Sequence, residues 1–189
     1  MNYENIFDAH AHYDDKWFDD DRFELLDNIK NKGVCGIVNN SVDLKTAQKS
    51  IEYAEKYDFV YAAVGFHPEN LDNMPLDYLD AIAELTKHEK VVAIGETGLD
   101  YHWDIPKDKQ KRVFEEQIKL SLDLKMPLVV HDREAHKDTF DLLRKYRPNA
   151  LVHCFSGSAE LMREAVRLGM YISLGGVVTF KNARQSVEV

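Results

Sequence analysis

Several features that would place a protein in a familiar class are scarce in this sequence. It has only two cysteines, Cys35 and Cys154, which exclude a disulfide framework and a Cys-x-x-Cys metal clip. No apolar run approaches the roughly 20 residues that cross a bilayer. Residues 1–5 lack the basic-then-apolar pattern of a secretion signal. We therefore expect a cytoplasmic protein with no membrane partner, whose cysteines are buried as small apolar side chains.

Positive charge is also in short supply. Lysine and arginine total 24 against 33 aspartates and glutamates, so the formal net charge is −9. This balance argues against a broad basic surface for gripping nucleic acid. It does not argue against chemistry on phosphates, because bound divalent cations would reverse the field locally. Without a linker or low-complexity tract, residues 1–189 are predicted to form one domain with no obligate protein partner.

What the sequence does contain is a repeated alternation of short apolar runs and amphipathic stretches. Seven runs have the length of buried strands: residues 6–7, 36–38, 59–64, 91–94, 128–130, 151–152 and 171–174. Between them, apolar residues recur at helical spacing, as at Phe114, Ile118 and Leu122, and Ser158 predicts a helix start. Alternating strands and helices predict a parallel α/β sheet. The glycine-rich first turn of a doubly wound sheet is absent, so we expect a TIM (β/α) barrel with seven visible units and no eighth strand.

Chemically capable side chains follow five of these apolar runs. They are His10, His12, His67, Glu96, His131 and His153. In a barrel the carboxyl ends of the strands open on one face, where active sites are built. A single histidine at a strand end is usually a polar residue leaving the core, and His67 alone would be judged so. The joint pattern, in a chain with 8 histidines, favours a site instead.

The first of these residues predict a metal centre. His10 and His12 are two apart on a strand, so both imidazoles point the same way and can hold a divalent ion. Asp8 shares that face and is expected to orient one imidazole. A carboxylate with two oxygens suits the position between two metals, which we assign to Glu96.

His131 and His153 would complete the second metal of the predicted pair. The neighbour of His153 is Cys154, which raises the alternative of a thiol catalyst. Adjacent strand residues face opposite sides of a sheet. If His153 points into the barrel mouth, Cys154 is therefore expected to pack outward.

These residues stand in motifs that resemble one known family. The motifs are Phe7-Asp8-Ala9-His10-Ala11-His12, Gly65-Phe66-His67-Pro68, Gly95-Glu96-Thr97-Gly98-Leu99-Asp100-Tyr101, His131-Asp132-Arg133 and His153-Cys154-Phe155-Ser156-Gly157. In type and order they resemble the TatD-type deoxyribonuclease family of the amidohydrolase superfamily. The resemblance runs across nearly the whole chain.

The resemblance implies a TIM barrel that hydrolyses DNA with two divalent ions, with zinc, magnesium and manganese all open. It implies His10 and His12 on one ion, Glu96 between the two, and His131 with His153 on the other. The catalytic set would be Glu96, His67 and Arg133. In this set His67 and Arg133 would contact the substrate phosphate. For Arg133, a pairing with a helix carboxylate is the alternative. Asp100 resembles a scaffold group rather than a ligand.

One element of the family pattern is missing. The family carries a further aspartate, a metal ligand, in a Glu-Thr-Asp-Pro-like motif at the end of the last strand, and no residue of this sequence corresponds to it. We therefore expect a C-terminally incomplete domain. The leading hypothesis is a metal-dependent deoxyribonuclease acting on single strands or ends. Its alternatives are a hydrolase of another ester or amide, such as an aminoacyl ester, and a catalytically inactive metal-binding remnant.

Overall fold

A computed structural model describes residues 4–189 and contains one parallel sheet with helices between its strands. The strands are β1 (Ile6–Ala11), β2 (Val34–Asn40), β3 (Val60–Val64), β4 (Val91–Asp100), β5 (Leu128–Arg133), β6 (Ala150–Val152) and β7 (Tyr171–Ile172). The helices are α1 (Arg22–Asn31), α2 (Leu44–Lys56), α3 (Tyr78–Leu85), α4 (Lys107–Leu124), α5 (His136–Tyr146), α6 (Ala159–Arg167) and α7 (Arg184–Glu188), with short 3₁₀ helices between some of them. All seven predicted strands are confirmed.

The strands pair in sequence order, β1 to β7, and every pair is parallel. Sequential order is the topology of a TIM barrel, whereas a doubly wound sheet reverses direction at a switch point. The predicted barrel class is therefore confirmed. In residues 4–189 the sheet ends at β1 on one side and at β7 on the other. None of the helices in this part of the chain is both long and apolar enough to pass through a bilayer.

The longest helix, α4, packs one face against the sheet. Phe114 and Ile118 are fully buried there, as their spacing predicts, but Leu122 is 40% exposed. At 100° per residue, the third member of an i, i+4, i+8 series has drifted away from the centre of the face. The buried stripe continues instead through Gln117 and Ser121. The predicted cap of α6 is confirmed, since the Ser158 hydroxyl accepts a bond from the backbone N–H of Leu161 at 3.3 Å.

Strand β4 is longer than its apolar run, which ends at residue 94. It continues to Asp100 because residues 97–100 pair in register with residues 130–133 of β5. The polar residues of this extension are buried rather than exposed. Gly98 permits the close pairing: its φ is +147°, and a Cβ built there would overlap the carbonyl oxygen of His131. The close contact between β4 and β5 therefore explains why a glycine stands at position 98 of the motif.

The prediction that both cysteines are buried was wrong, since both are exposed. Cys35 is the second residue of β2, with its Sγ 3.3 Å from the carbonyl oxygen of Ile6 on the edge strand β1. Cys35 is exposed because the first two residues of β2 lie at the amino-terminal end of the strand, outside the buried stretch of residues 36–40. Cys154 lies past the end of β6 in a left-handed conformation, with φ 45°.

Candidate metal centre

A cleft of about 820 Å³ opens at the carboxyl ends of the strands. Its lining includes every candidate residue predicted from the sequence: His10, His12, His67, Glu96, His131, Arg133 and His153. They come from β1, β4 and β5 and from the segments directly after β1, β3 and β6. Parallel strands in sequential order bring these distant positions to one face.

Glu96 occupies the centre of this cleft. Its side chain is only 3% exposed. Its Oε2 faces Nε2 of His10 at 3.3 Å and Nε2 of His12 at 3.0 Å. Its Oε1 faces Nδ1 of His131 at 2.8 Å and Nε2 of His153 at 2.6 Å. One buried carboxylate therefore presents one oxygen to each of two histidine pairs.

The histidines also crowd one another. Nε2 of His10 lies 2.9 Å from Nε2 of His12, and Nδ1 of His131 lies 3.1 Å from Nε2 of His153. The rings of His10 and His153 stack with centroids 3.7 Å apart. Lone pairs that point at each other at these distances repel unless a proton or a cation shares them. Together with a buried anion, this donor set fits divalent metal ions.

The outer nitrogens of two rings fix which atom faces the centre. Nδ1 of His12 donates to the carbonyl oxygen of Asn40 at 2.8 Å. Nε2 of His131 donates to a carboxylate oxygen of Asp100 at 2.9 Å. In the neutral form of both rings the other nitrogen then keeps its lone pair towards Glu96, which is the arrangement that metal-binding histidines adopt.

Asp8 does not orient an imidazole as expected. Its carboxylate accepts a bond from the backbone N–H of His10 at 3.2 Å. Nδ1 of the His10 ring is buried and has no hydrogen-bond partner among residues 4–189. The side chain of Asp8 thus stabilises the backbone at the end of β1. The aspartate that orients an imidazole is Asp100, which bonds His131.

Charge in the cleft is governed by burial and by Glu96. Burial alone would raise the pKa of Glu96, but the histidines, His153 foremost, hold that pKa well below its ordinary value. Burial lowers the pKa of His10. Burial also opposes protonation of His12 and His131, yet hydrogen bonding to Glu96 outweighs it and raises the pKa of both. The centre therefore carries a fixed negative charge among imidazoles.

His67 differs from the other histidines of the cleft. It is 4% exposed, and burial lowers its pKa to about 3, so the ring is neutral. Its Nδ1 accepts a bond from the backbone N–H of Glu69 at 3.2 Å. The proton of the neutral ring must then sit on Nε2, which lies 3.5 Å from Oε1 of Glu96. Although His67, Glu96 and His131 are close enough to hold an ion together, this tautomer makes Nε2 a donor.

Two further cleft residues decide questions left open by the sequence. Arg133 is exposed and lines the cleft. Within residues 4–189 it makes no ion pair, so the alternative pairing with a helix carboxylate is not found. Cys154 lines the cleft beside His153, so its predicted outward packing was wrong. Strand alternation does not apply there because β6 ends at Val152.

Two glutamines of α4 support the site and were not predicted. Gln117 accepts from the backbone N–H of Phe66 at 2.9 Å and donates to its carbonyl oxygen at 3.0 Å and to Thr97 Oγ1 at 2.6 Å. Gln110 bonds both backbone groups of Asp100, each at 2.8 Å. The available signal was their seven-residue spacing on an apolar helix face, since a polar residue on such a face must find hydrogen-bond partners.

Comparison with known proteins gives a consistent picture. The family model of the TatD related DNases matches residues 7–189. The "uncharacterized metal-dependent hydrolase YabD" of Bacillus subtilis is 45% identical over 188 residues, which cover 97% of this chain and 74% of that protein. The "3'-5' ssDNA/RNA exonuclease TatD" of Escherichia coli K12 is 32% identical over 177 residues, covering 92% and 68%.

A solved structure agrees with these sequence relatives. The crystal structure of YjjV, a TatD homologue from Escherichia coli K12, matches with a TM-score of 0.87 and 31% identity, and the match covers 94% of this chain and 71% of that one. The fold, the family model and the relatives thus converge. This chain belongs to the TatD-related DNase family and is a metal-dependent hydrolase.

Proposed function

We propose that this protein is a nuclease that hydrolyses phosphodiester bonds in DNA, at single strands or ends, with two divalent metal ions. The observation that carries the proposal is the position of Glu96, whose two oxygens face separate histidine pairs. Two-metal hydrolases of phosphate esters need a group that can lie between both ions. A buried carboxylate held below its ordinary pKa meets that need.

The residues that would hold the ions follow from these contacts. His10 and His12 would hold one ion beside Oε2 of Glu96, and His131 and His153 would hold the other beside Oε1. When bound, the ions would supply a Lewis acid that activates water and neutralises charge on a phosphoryl oxygen. Zinc suits imidazole nitrogens better than magnesium or manganese does.

His67 and Arg133 are proposed to handle the substrate rather than the metals. The Nε2–H of His67 is a neutral donor aimed at the centre of the cleft, placed to bond a phosphate oxygen without adding charge. Arg133 lines the same cleft, and its guanidinium can bind a phosphate through two parallel hydrogen bonds. Binding by Arg133 and donation by His67 would orient the ester for attack.

The shape and charge of the cleft support single-stranded or terminal nucleic acid as the substrate. A concave pocket admits an end or a separated strand more easily than the middle of a duplex. The Escherichia coli relative at 32% identity carries the name of a 3'-5' exonuclease of single-stranded DNA and RNA. With a net charge of −9, the protein depends on its metals for attraction to phosphates.

The test measures metal content and hydrolysis together. Elemental analysis of the purified protein should find about two divalent ions per chain, and the loaded protein should cleave a single-stranded oligonucleotide faster than its duplex. Glu96→Gln should lose metal and turnover together, because an amide cannot carry the charge that the two ions share. His88→Gln, at an exposed histidine beside Glu55 outside the cleft, is the matched control and should behave as wild type.

Three other results would each contradict the proposal. A fully active Glu96→Gln variant would show that the carboxylate of Glu96 is not needed between the two ions. Cleavage of carboxyl esters with no phosphodiester cleavage would favour the other ester hydrolases. Two bound ions with no turnover on any ester would favour a metal-binding protein without catalysis.

A further inference from the structure

Both tryptophans of this chain lie exposed at the open end of the sheet. The sequence has only Trp17 and Trp103, and their exposed fractions are 84% and 46%. Trp17 lies in the short 3₁₀ helix after β1, and Trp103 follows the end of β4. An indole left in water forgoes the free energy that burial of its apolar surface would supply. Exposed tryptophans beside a nuclease-like cleft are candidates for contact with bases.

Trp103 is part of the cleft itself. It lines the same cavity as Glu96 and Arg133, and it comes three residues after Asp100, whose register partner in β5 is Arg133. The ring of His102 packs edge-on against the indole, with centroids 5.3 Å apart. The indole is therefore held at the rim, on the side of the cleft where the arginine lies.

The charge of the lining explains why such a residue is needed. Among the described residues that line the cleft, Arg133 is the one permanent cation, and six carboxylates accompany it: Asp8, Asp14, Asp15, Glu69, Glu96 and Asp100. Attraction to phosphates ordinarily supplies most of the affinity of nucleic-acid binding. Here it is available only from bound metals and one arginine. A strand held in this cleft therefore requires an uncharged source of affinity, and base stacking on an indole is one.

The surroundings of the two tryptophans separate their roles. Residues 14–21 around Trp17 contain five aspartates and one lysine. Residues 103–112, which begin with Trp103, contain four lysines and arginines and two aspartates. A base stacked on an indole brings its own phosphates close to that segment. The acidic segment around Trp17 opposes this. Near Trp103, Lys109, Lys111 and Arg112 already pair with carboxylates, so Arg133 and Lys107 are the cations that favour it.

We propose that Trp103 is a stacking platform for a nucleobase of a single-stranded substrate, adjacent to the phosphate that Arg133 binds. This inference rests on the proposed nuclease function and adds a specificity-determining residue to it. Stacking on an indole accepts any base, so the contact selects for unpaired bases rather than for a sequence. A paired base has both of its faces covered by its neighbours in the duplex and cannot use the platform.

Tryptophan fluorescence tests this directly, because each tryptophan can be removed to leave the other as sole reporter. The probe is a short oligodeoxythymidylate with phosphorothioate linkages, which slow its hydrolysis, added to the metal-loaded protein. In Trp17→Phe, where Trp103 is the sole reporter, the probe should quench emission. An abasic phosphorothioate of equal length should not. In Trp103→Phe, the remaining Trp17 should show little quenching.

Affinity and kinetics give a second readout. Trp103→Ala should weaken probe binding by roughly tenfold or more, the effect of losing one stacked base, and should raise KM more than it lowers kcat. Trp103→Phe should recover part of the loss. Trp17→Ala removes the more exposed indole, 84% against 46%, and is the matched control; it should bind the probe as wild type does.

The failure of this inference can be told from the failure of the proposed function. If wild type cleaves single strands but Trp103 is not quenched, or is quenched equally by the abasic probe, the platform is wrong and the nuclease stands. If Trp17→Ala weakens binding as much as Trp103→Ala, the assignment to Trp103 is wrong. If metal-loaded wild type neither binds nor cleaves any oligonucleotide, both proposals fail.

Discussion

At the scale of single residues, two histidines of the cleft differ in the hydrogen bonds that their outer nitrogens make. His67 and His131 both lie within 3.5 Å of Glu96. The backbone N–H of Glu69 bonds one nitrogen of His67, whereas the carboxylate of Asp100 accepts from one nitrogen of His131. The first contact leaves a donor facing the centre and the second leaves a lone pair. In the proposed function, these outer hydrogen bonds would determine which ring binds metal and which binds substrate.

His67→Ala tests this division. The variant should keep near-normal metal content, because the ring it loses has no lone pair directed at an ion, while kcat/KM for an oligonucleotide falls. Loss of one donor to a reacting phosphate lowers rates by about a hundredfold or more. His12→Ala, treated identically, should instead lose metal. Loss of an ion from His67→Ala, measured by elemental analysis, would show that His67 is a ligand.

At the scale of secondary-structure elements, α4 does more than cover the sheet. Gln117 joins the loop after β3 to β4 through Phe66 and Thr97, and Gln110 secures the end of β4 at Asp100. Both glutamines are buried. The loop segment that they fix precedes His67 directly, and the strand segment contains Glu96. Helix α4 therefore fixes the distance between His67 and Glu96.

Gln117→Leu should disturb stability and the site together. It leaves the buried backbone N–H and carbonyl of Phe66 without partners, at a cost of about 1–3 kcal/mol for each such group. Urea unfolding should show this loss, and KM for an oligonucleotide should rise as His67 shifts. The matched control is Gln48→Leu, the same chemical change at an exposed position of α2. Equal losses of stability in the two variants would mean that the Gln117 bonds contribute nothing.

At the scale of the whole molecule, metal ions bound at the candidate centre would couple the two halves of the sheet. The proposed ligands lie on or directly after strands β1, β4, β5 and β6, so ions bound there would connect four of the seven strands. In the absence of metal, the centre concentrates a buried anion and several imidazoles in a small volume. We therefore expect the folded state to gain stability on metal binding, because the unfolded chain cannot assemble the same donors.

Chelation provides the measurement. Removal of metal should lower the Tm, and free metal at a hundred times its dissociation constant should restore about 2.7 kcal/mol of unfolding free energy for each ion bound. Calorimetry of the His10→Ala, His12→Ala double variant is the comparison. Its Tm should respond much less to metal. An equal shift in wild type and double variant would place the stabilising ions outside this cleft.

The elements that could be predicted from the sequence are those whose burial requires a run of apolar residues. Elements whose buried polar residues are satisfied by hydrogen bonds could not be predicted in this way. The seven strands could be located because buried parallel strands are short apolar runs. The extension of β4 to Asp100 could not, since its carboxylates are buried with partners from elsewhere in the chain. The cleft residues were found because strand ends converge. The exposure of Cys154 and the supporting role of Gln117 depend on loop paths and side-chain partners that periodicity does not encode.

The stacked rings of His10 and His153 have a consequence for folding. They come from the first and sixth strands, whereas neighbouring strands of this sheet are also neighbours along the chain. Local strand pairs can therefore form early, but the contact between these two rings needs residues 10–153 to be in place, and such long-range closures come late. A chain still emerging or only partly folded has no complete set of ligands. Metal capture, and any hydrolysis that depends on it, would thus be withheld until assembly is complete.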